Sequence, residues 1–136
     1  MDFLRTLVTA ASGLQAQSGR MRVIAENIAN ADSTARTPDA EPYRRQIPTF
    51  RASLDRETQS RTVELGPVRP DQGEFNLRFD PSHPAANGDG YVQMPNVNRL
   101  VEAMDMRNAQ RSYEANLNVV QSTRQMIART LDILRA

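Results

Sequence analysis

The chain has 136 residues, enough for one domain, with 17 basic residues, all arginine, against 16 acidic ones and a net charge of +1. That balance gives no field to draw in nucleic acid or an acidic membrane, so no nucleic-acid partner is expected. With no cysteine and one histidine, His83, disulfides, thiolate metal sites, thiol nucleophiles and multi-histidine metal centres are excluded.

The first zone reads as a helix. Leu4, Leu7, Ala11, Leu14, Ser18, Met21, Ala25 and Ile28 step by three and four, a heptad seam with Ser18 as its polar member. Gly13 and Gly19 each weaken the helix by roughly 1 kcal/mol relative to alanine, so it needs a partner. The helix is expected to end near Asn30, before the Asp32-Ser33-Thr34 cluster and Pro38. The opening residues lack a basic segment and a long apolar run, so no cleaved secretory signal is expected. No apolar run reaches 18 residues, so no membrane span is expected.

The middle zone holds all eight prolines, from Pro38 to Pro95. Residues 31–46 are polar and read as a mobile or partner-ordered loop. Residues 51–61 read as a short polar helix or further loop. Thr62–Leu65 is a weak strand signal, and Phe75–Phe79 alternates apolar and polar as a half-buried strand does. Asn87-Gly88-Asp89-Gly90 is strong turn chemistry ahead of a strand at Tyr91–Met94.

The last zone, opened by Pro95 and the capping candidate Asn96, has neither proline nor glycine to Ala136. Tyr113, Leu117, Val120, Arg124, Ile127, Leu131 and Leu134 repeat the four-and-three step. A helix of that length runs about 60 Å, longer than such a domain is wide, so it must project or pack against another molecule.

Catalytic chemistry finds little support. Asp80, Ser82 and His83 lie side by side between Pro81 and Pro84, which makes a rigid turn rather than a triad converging from separate elements. Glu102 and Asp105, one helical turn apart, read as a solvated face or as partners of Arg99 and Arg107. No phosphate-binding loop is present, and no cofactor or metal is expected. The many helix amides, among them Asn27, Asn116 and Gln121, read either as a wet face or as hydrogen bonds between helices of neighbouring subunits. The architecture is thus mainly α: long N- and C-terminal helices and a small irregular or β insert, in zones 1–34, 35–95 and 96–136.

The residues Ala10 to Gln17, followed by Ala25-Glu26-Asn27-Ile28-Ala29-Asn30-Ala31, resemble the N-terminal signature of bacterial flagellar axial proteins. Length narrows the resemblance to the small rod proteins. Two later stretches are similar to the proximal rod members: Asp80-Pro81-Ser82-His83-Pro84 leading into Gly90-Tyr91 and Pro95-Asn96, and Tyr113-Glu114-Ala115-Asn116.

The resemblance implies a structural subunit of the proximal rod, not an enzyme, which assembles with other rod proteins and with copies of itself. It implies transit through the flagellar type III export apparatus without a cleaved signal, and a place in the periplasmic part of the basal body. Glycine-weakened helices and the lack of cysteine suit a chain that travels unfolded. It also implies an antiparallel, coiled-coil-like helix pair, in which Leu7, Leu14, Met21 and Ile28 meet Tyr113, Leu117, Val120, Ile127 and Leu134, with Leu131 on the same assembly seam. The rival reading is a cytoplasmic coiled-coil adaptor or secretion-chaperone-like protein.

Overall fold

The structure is a computed structural model and describes residues 2–136. Two long helices frame six short strands. The helix α1 spans Phe3–Ala29 and α2 spans Arg99–Arg135. Between them lie β1 (Gln46–Ile47), β2 (Phe50–Asp55), β3 (Ser60–Leu65), β4 (Arg69–Pro70), β5 (Asn76–Phe79) and β6 (Tyr91–Met94). The strands pair antiparallel as β1 with β4, β2 with β3, and β5 with β6.

The helix ends follow capping chemistry. Asp2 Oδ1 accepts the Arg5 amide at 3.2 Å and opens α1. The expected cap of the last helix, Asn96, is not its cap. Asn98 takes that role, its Oδ1 accepting the amides of Leu100 (3.0 Å) and Val101 (3.3 Å). Asn96 is occupied elsewhere: its Oδ1 accepts the Arg45 amide at 2.8 Å and its Nδ2 donates to Asp71 O at 3.2 Å.

The chain divides into two compact units. One takes the chain up to Met21, Thr49–Pro67 and Arg107–Ala136; the other takes Arg22–Pro48 and Val68–Met106.

In the first unit, residues 51–61, expected as helix or loop, form most of a β-hairpin instead. Its register runs from Phe50 opposite Leu65 to Asp55 opposite Ser60. The turn explains the difference: Asp55 Oδ1 accepts the amides of Glu57 (2.9 Å) and Thr58 (3.1 Å), and Gln59 takes a left-handed φ of 54°. The hairpin is stitched to α1 through backbone atoms. Thr9 Oγ1 donates to Arg61 O at 3.0 Å, and Ser12 Oγ accepts the Val63 amide at 3.1 Å.

In the second unit, β5 and β6 pair with Phe79 opposite Tyr91. Val92 and Met94 point into a small core with Ala85. The opposite face carries Leu77, Phe79 and Tyr91, which are exposed. The alternation in Phe75–Phe79 led to a half-buried strand, but every residue of β5 is exposed. Its apolar members lie on the side of the two-stranded sheet that is left uncovered among the described residues. Gly90, at φ +83°, closes the connection; a Cβ there would come within 2.9 Å of the Phe79 ring.

Candidate assembly surfaces

The second unit contains a buried polar lock. Asn27, near the end of α1, is fully buried and makes full use of its amide. Its Nδ2 donates to Gln46 O at 2.8 Å and to Glu102 Oε2 at 3.4 Å. Its Oδ1 accepts from Tyr43 Oη at 2.7 Å and from the Gln46 amide at 2.9 Å. A buried amide with all its partners avoids the desolvation cost that an orphaned one would carry.

Glu102, one turn into α2, has no solvent exposure. Its spacing from Asp105 predicts a solvated face or a pairing with Arg99 or Arg107, and in the structure it has neither. The Arg45 guanidinium hydrogen-bonds its carboxylate directly, and the same arginine lies 3.5 Å from Asp71 and 3.7 Å from Asp105. Burial by itself lowers the Arg45 pKa, but the Glu102 hydrogen bond and charge, with Asp71 and Asp105, outweigh it and raise the value. Burial, then the charges of Glu26 and Glu102, raise the Tyr43 pKa above its ordinary 10.0, so the phenol keeps the proton it donates to Asn27. Arg99, one of the two expected partners, pairs instead with Asp32.

Residues 31–46 are held by bonds within the chain. The segment has no regular element before β1, yet Asp32, Tyr43 and Arg45 tie it to α1 and α2 by side-chain bonds. The sequence carried no periodic signal for Arg45 or Tyr43, because a polar anchor in a loop has no repeat to betray it.

The Asp80–Pro84 turn is structural in its bonding. Ser82 Oγ donates to Asp80 Oδ1 at 2.8 Å rather than meeting the imidazole. His83 Nδ1 accepts the Ala85 amide at 3.0 Å, which leaves the proton on Nε2, 3.2 Å from Thr34 Oγ1. Pro81 lies under Gly90, and Pro84 is exposed. Among the other singled-out residues, Pro95 is buried and Glu114 is exposed. Asn30 donates to Glu26 O at 2.9 Å.

The first unit brings the helices together through small residues. A Cβ built on Gly13 would lie 2.8 Å from Asn116 Nδ2, so the glycine is what admits this side chain. Ala10, Ala16 and Ala109 are buried, as is Thr123. The seam residues Leu7, Leu14, Met21, Ile28, Tyr113, Val120 and Ile127 are half-buried within this chain. Leu117, Leu131 and Leu134 are exposed, at 37%, 50% and 76%. Among the described residues no helix is long and apolar enough to cross a membrane.

The chain resembles known proteins along most of its length. Residues 7–36 match the family described as flagella basal body rod protein. Residues 89–133 match the one described as flagellar basal body rod FlgEFG protein C-terminal. The flagellar basal-body rod protein FlgC of Agrobacterium fabrum is 50% identical over 127 residues, covering 93% of this chain and 91% of that one. The FlgC of Borreliella burgdorferi is 37% identical, covering 99% of both chains. The FlgC of Bacillus subtilis is 36% identical, covering 98% of this chain and 99% of its own.

Proposed function

The chain belongs to the FlgC family of flagellar basal-body rod proteins, and from that premise we propose that it is a structural subunit of the proximal rod, carrying torque across the periplasm through its terminal helices. Its relatives are rod proteins, not enzymes, and rod assembly implies other rod components as partners. Copies of itself and, in transit, the type III export apparatus complete the partners.

The carrying observation is likeness across nearly the whole chain, joined to two long helices with apolar residues left uncovered. In this reading 1–34 and 96–136 are the axial helices and 35–95 the insert. The helices pair antiparallel. Two neighbouring bonds in the second unit support that direction: Asn27 meets Glu102, and Asp32, further along the chain, meets the earlier Arg99. The seam Leu7, Leu14, Met21 and Ile28 with Tyr113, Leu117, Val120, Ile127, Leu131 and Leu134 then serves the contacts within and between subunits. The exposed Leu117, Leu131 and Leu134 are its intersubunit part. The motif residues Asp80, Pro81, His83 and Pro84, with Gly90 and Tyr91, shape the outer hairpin.

Deleting the gene and imaging isolated basal bodies by electron microscopy tests this. Rings that persist without rods or hooks are the expected result. Intact rods and hooks in the deletion strain would overturn the reading.

A further inference from the structure

The connection between β5 and β6 runs through Asn87-Gly88-Asp89-Gly90. Of the chain's nine asparagines, Asn87 alone precedes a glycine. The peptide nitrogen after an asparagine can attack the side-chain carbon Cγ and expel ammonia, and a glycine leaves that nitrogen unshielded by any side chain.

The turn arranges these groups for the reaction. Asn87 and Gly88 are exposed, so water reaches both. A Cβ added at Gly88 would meet nothing within 4 Å. Among the described residues the Gly88 amide has no acceptor, so no bond must break before its nitrogen turns. Asn87 Oδ1, in contrast, accepts the amides of Asp89 at 3.0 Å and of Tyr91 at 2.9 Å. These bonds fold the carboxamide back over the Gly88 peptide. They also aim two N–H dipoles at the oxygen that turns negative when Cγ is attacked, and donors preset on a developing oxyanion lower the barrier.

The next pair, Asp89 and Gly90, lacks this freedom. Gly90 is buried, its amide donates to Asn87 O at 3.0 Å, and it is held at φ +83° against Phe79 and Pro81. Its nitrogen is bound in a fixed peptide and cannot turn toward the Asp89 carboxylate.

We propose that Asn87–Gly88 is a self-modifying site, at which the folded chain deamidates its own Asn87. The Gly88 nitrogen gives up its proton to water and bonds to Asn87 Cγ. The Cγ–Nδ2 bond breaks, and Nδ2 takes up one proton and leaves as ammonia. One water then opens the five-membered imide. Opening at Cγ leaves aspartate; opening at the Asn87 backbone carbonyl leaves isoaspartate, with Cβ now in the main chain. Nothing is oxidised or reduced: one water enters and one ammonia leaves. A carboxylate replaces a neutral amide, which takes the net charge from +1 to zero. Aspartate keeps an oxygen for the two amides. Isoaspartate lengthens the main chain and disturbs the bonds of residue 87 with Gly90 and Tyr91, at 3.0 and 2.9 Å. The site therefore ages the hairpin in one direction, whatever assembly the chain belongs to.

The test incubates the purified full-length chain for days at mildly alkaline pH in water labelled with heavy oxygen, then digests it with trypsin in ordinary water. One peptide, residues 79–99, carries Asn87, Asp89, Asn96 and Asn98 and compares them within one molecule. Mass spectrometry with electron-transfer fragmentation locates the label and separates aspartate from isoaspartate. The expected result is heavy oxygen at residue 87 in both products. It should enter at least about tenfold faster than at Asn96 or Asn98, which precede Val97 and Arg99, and Asp89 should stay unlabelled. Gly88→Ala should slow the conversion about tenfold while circular dichroism stays unchanged. The wild-type chain unfolded in guanidinium chloride loses the two donors, so it should convert no faster than the folded chain in sodium chloride of equal strength. Four results would each overturn the proposal: no label at residue 87, an equal rate in the Gly88→Ala chain, as much label at Asp89, or faster conversion of the unfolded chain. The last comparison needs no variant and holds even if Gly88→Ala fails to fold.

Discussion

Around Glu102 and around Asn116 the same helix is held by opposite chemistry. At Glu102 the contact is charge and amide: Arg45, Asn27 and Tyr43 surround a carboxylate with no exposure. At Asn116 the contact is proximity, made possible because Gly13 has no side chain. A polar lock fails when it loses one member, because a buried charge is left without its partner. A close contact fails when it gains more volume than the facing side chain can yield. The two regions therefore break under different substitutions.

Arg45→Ala is the sharpest attack on the polar lock. It strands Glu102 in the interior and should cost about 3 kcal/mol, read by urea unfolding. A loss below about 1 kcal/mol would show that the carboxylate is relieved by other means. Replacing both partners, Arg45→Met with Glu102→Leu, should cost far less than Arg45→Ala, since no lone charge remains.

Gly13→Leu attacks the close contact and should cost about 2 kcal/mol, because its branches must displace Asn116. Gly13→Ala should fall near zero: the crowding is with the end of a side chain that can swing, and the helix gains about 1 kcal/mol in propensity. A large loss for the alanine variant would mean that Asn116 is locked in place.

Asn98→Ala should cost about 1 kcal/mol through the lost cap, whereas Asn98→Asp should be neutral or better. Equal stability of all three chains would mean that the first turn of α2 is held by tertiary contacts alone.

Tyr43→Phe should cost about 1 kcal/mol and also change the alkaline limb of stability. The folded phenol has a raised pKa, so the unfolded chain releases its proton first as pH climbs past 10.0. Its contribution is whole below that pH and is lost as pH rises through the folded value. The phenylalanine variant should lack this part of the slope in thermal melts taken from pH 8 to 11.

Leu131→Asp should have the smallest effect on the isolated chain, because the residue is half exposed there. Its effect belongs to assembly: motility and rods should be lost while the Tm of the purified chain hardly moves. Normal motility would remove Leu131 from the seam.

The helices were legible because their signals are local. Proline placement bracketed them, and a four-and-three step marked them. The predicted end near Asn30 lies one residue beyond the end of α1. The strands at Thr62–Leu65 and Tyr91–Met94 were legible from alternation and from the Asn87–Gly90 turn. The β2–β3 hairpin was not, since its turn rests on Asp55 holding two amides and on Gln59 at positive φ, with no glycine to announce it. The buried stripe of α1 was also hard to read. The strongest apolar step in α1 runs through Leu7 and Leu14, while the fully buried positions are Ala10, Ala16, Val23, Ile24 and Asn27. Small and amide residues carry little hydrophobic signal, yet they allow the closest approach.

By itself, the sequence determined two long helices, a strand-bearing insert, the absence of thiol chemistry and the family signature, because periodicity, turn residues and motif order are properties of neighbours along a chain. Only the tertiary structure decided that Glu102 is buried on Arg45, that Asn98 rather than Asn96 caps α2, and that Leu131 and Leu134 are left uncovered. Each of those depends on which residues distant in sequence arrive at the same place, and the burial and partner of a charge are set by that arrival rather than by the residues beside it.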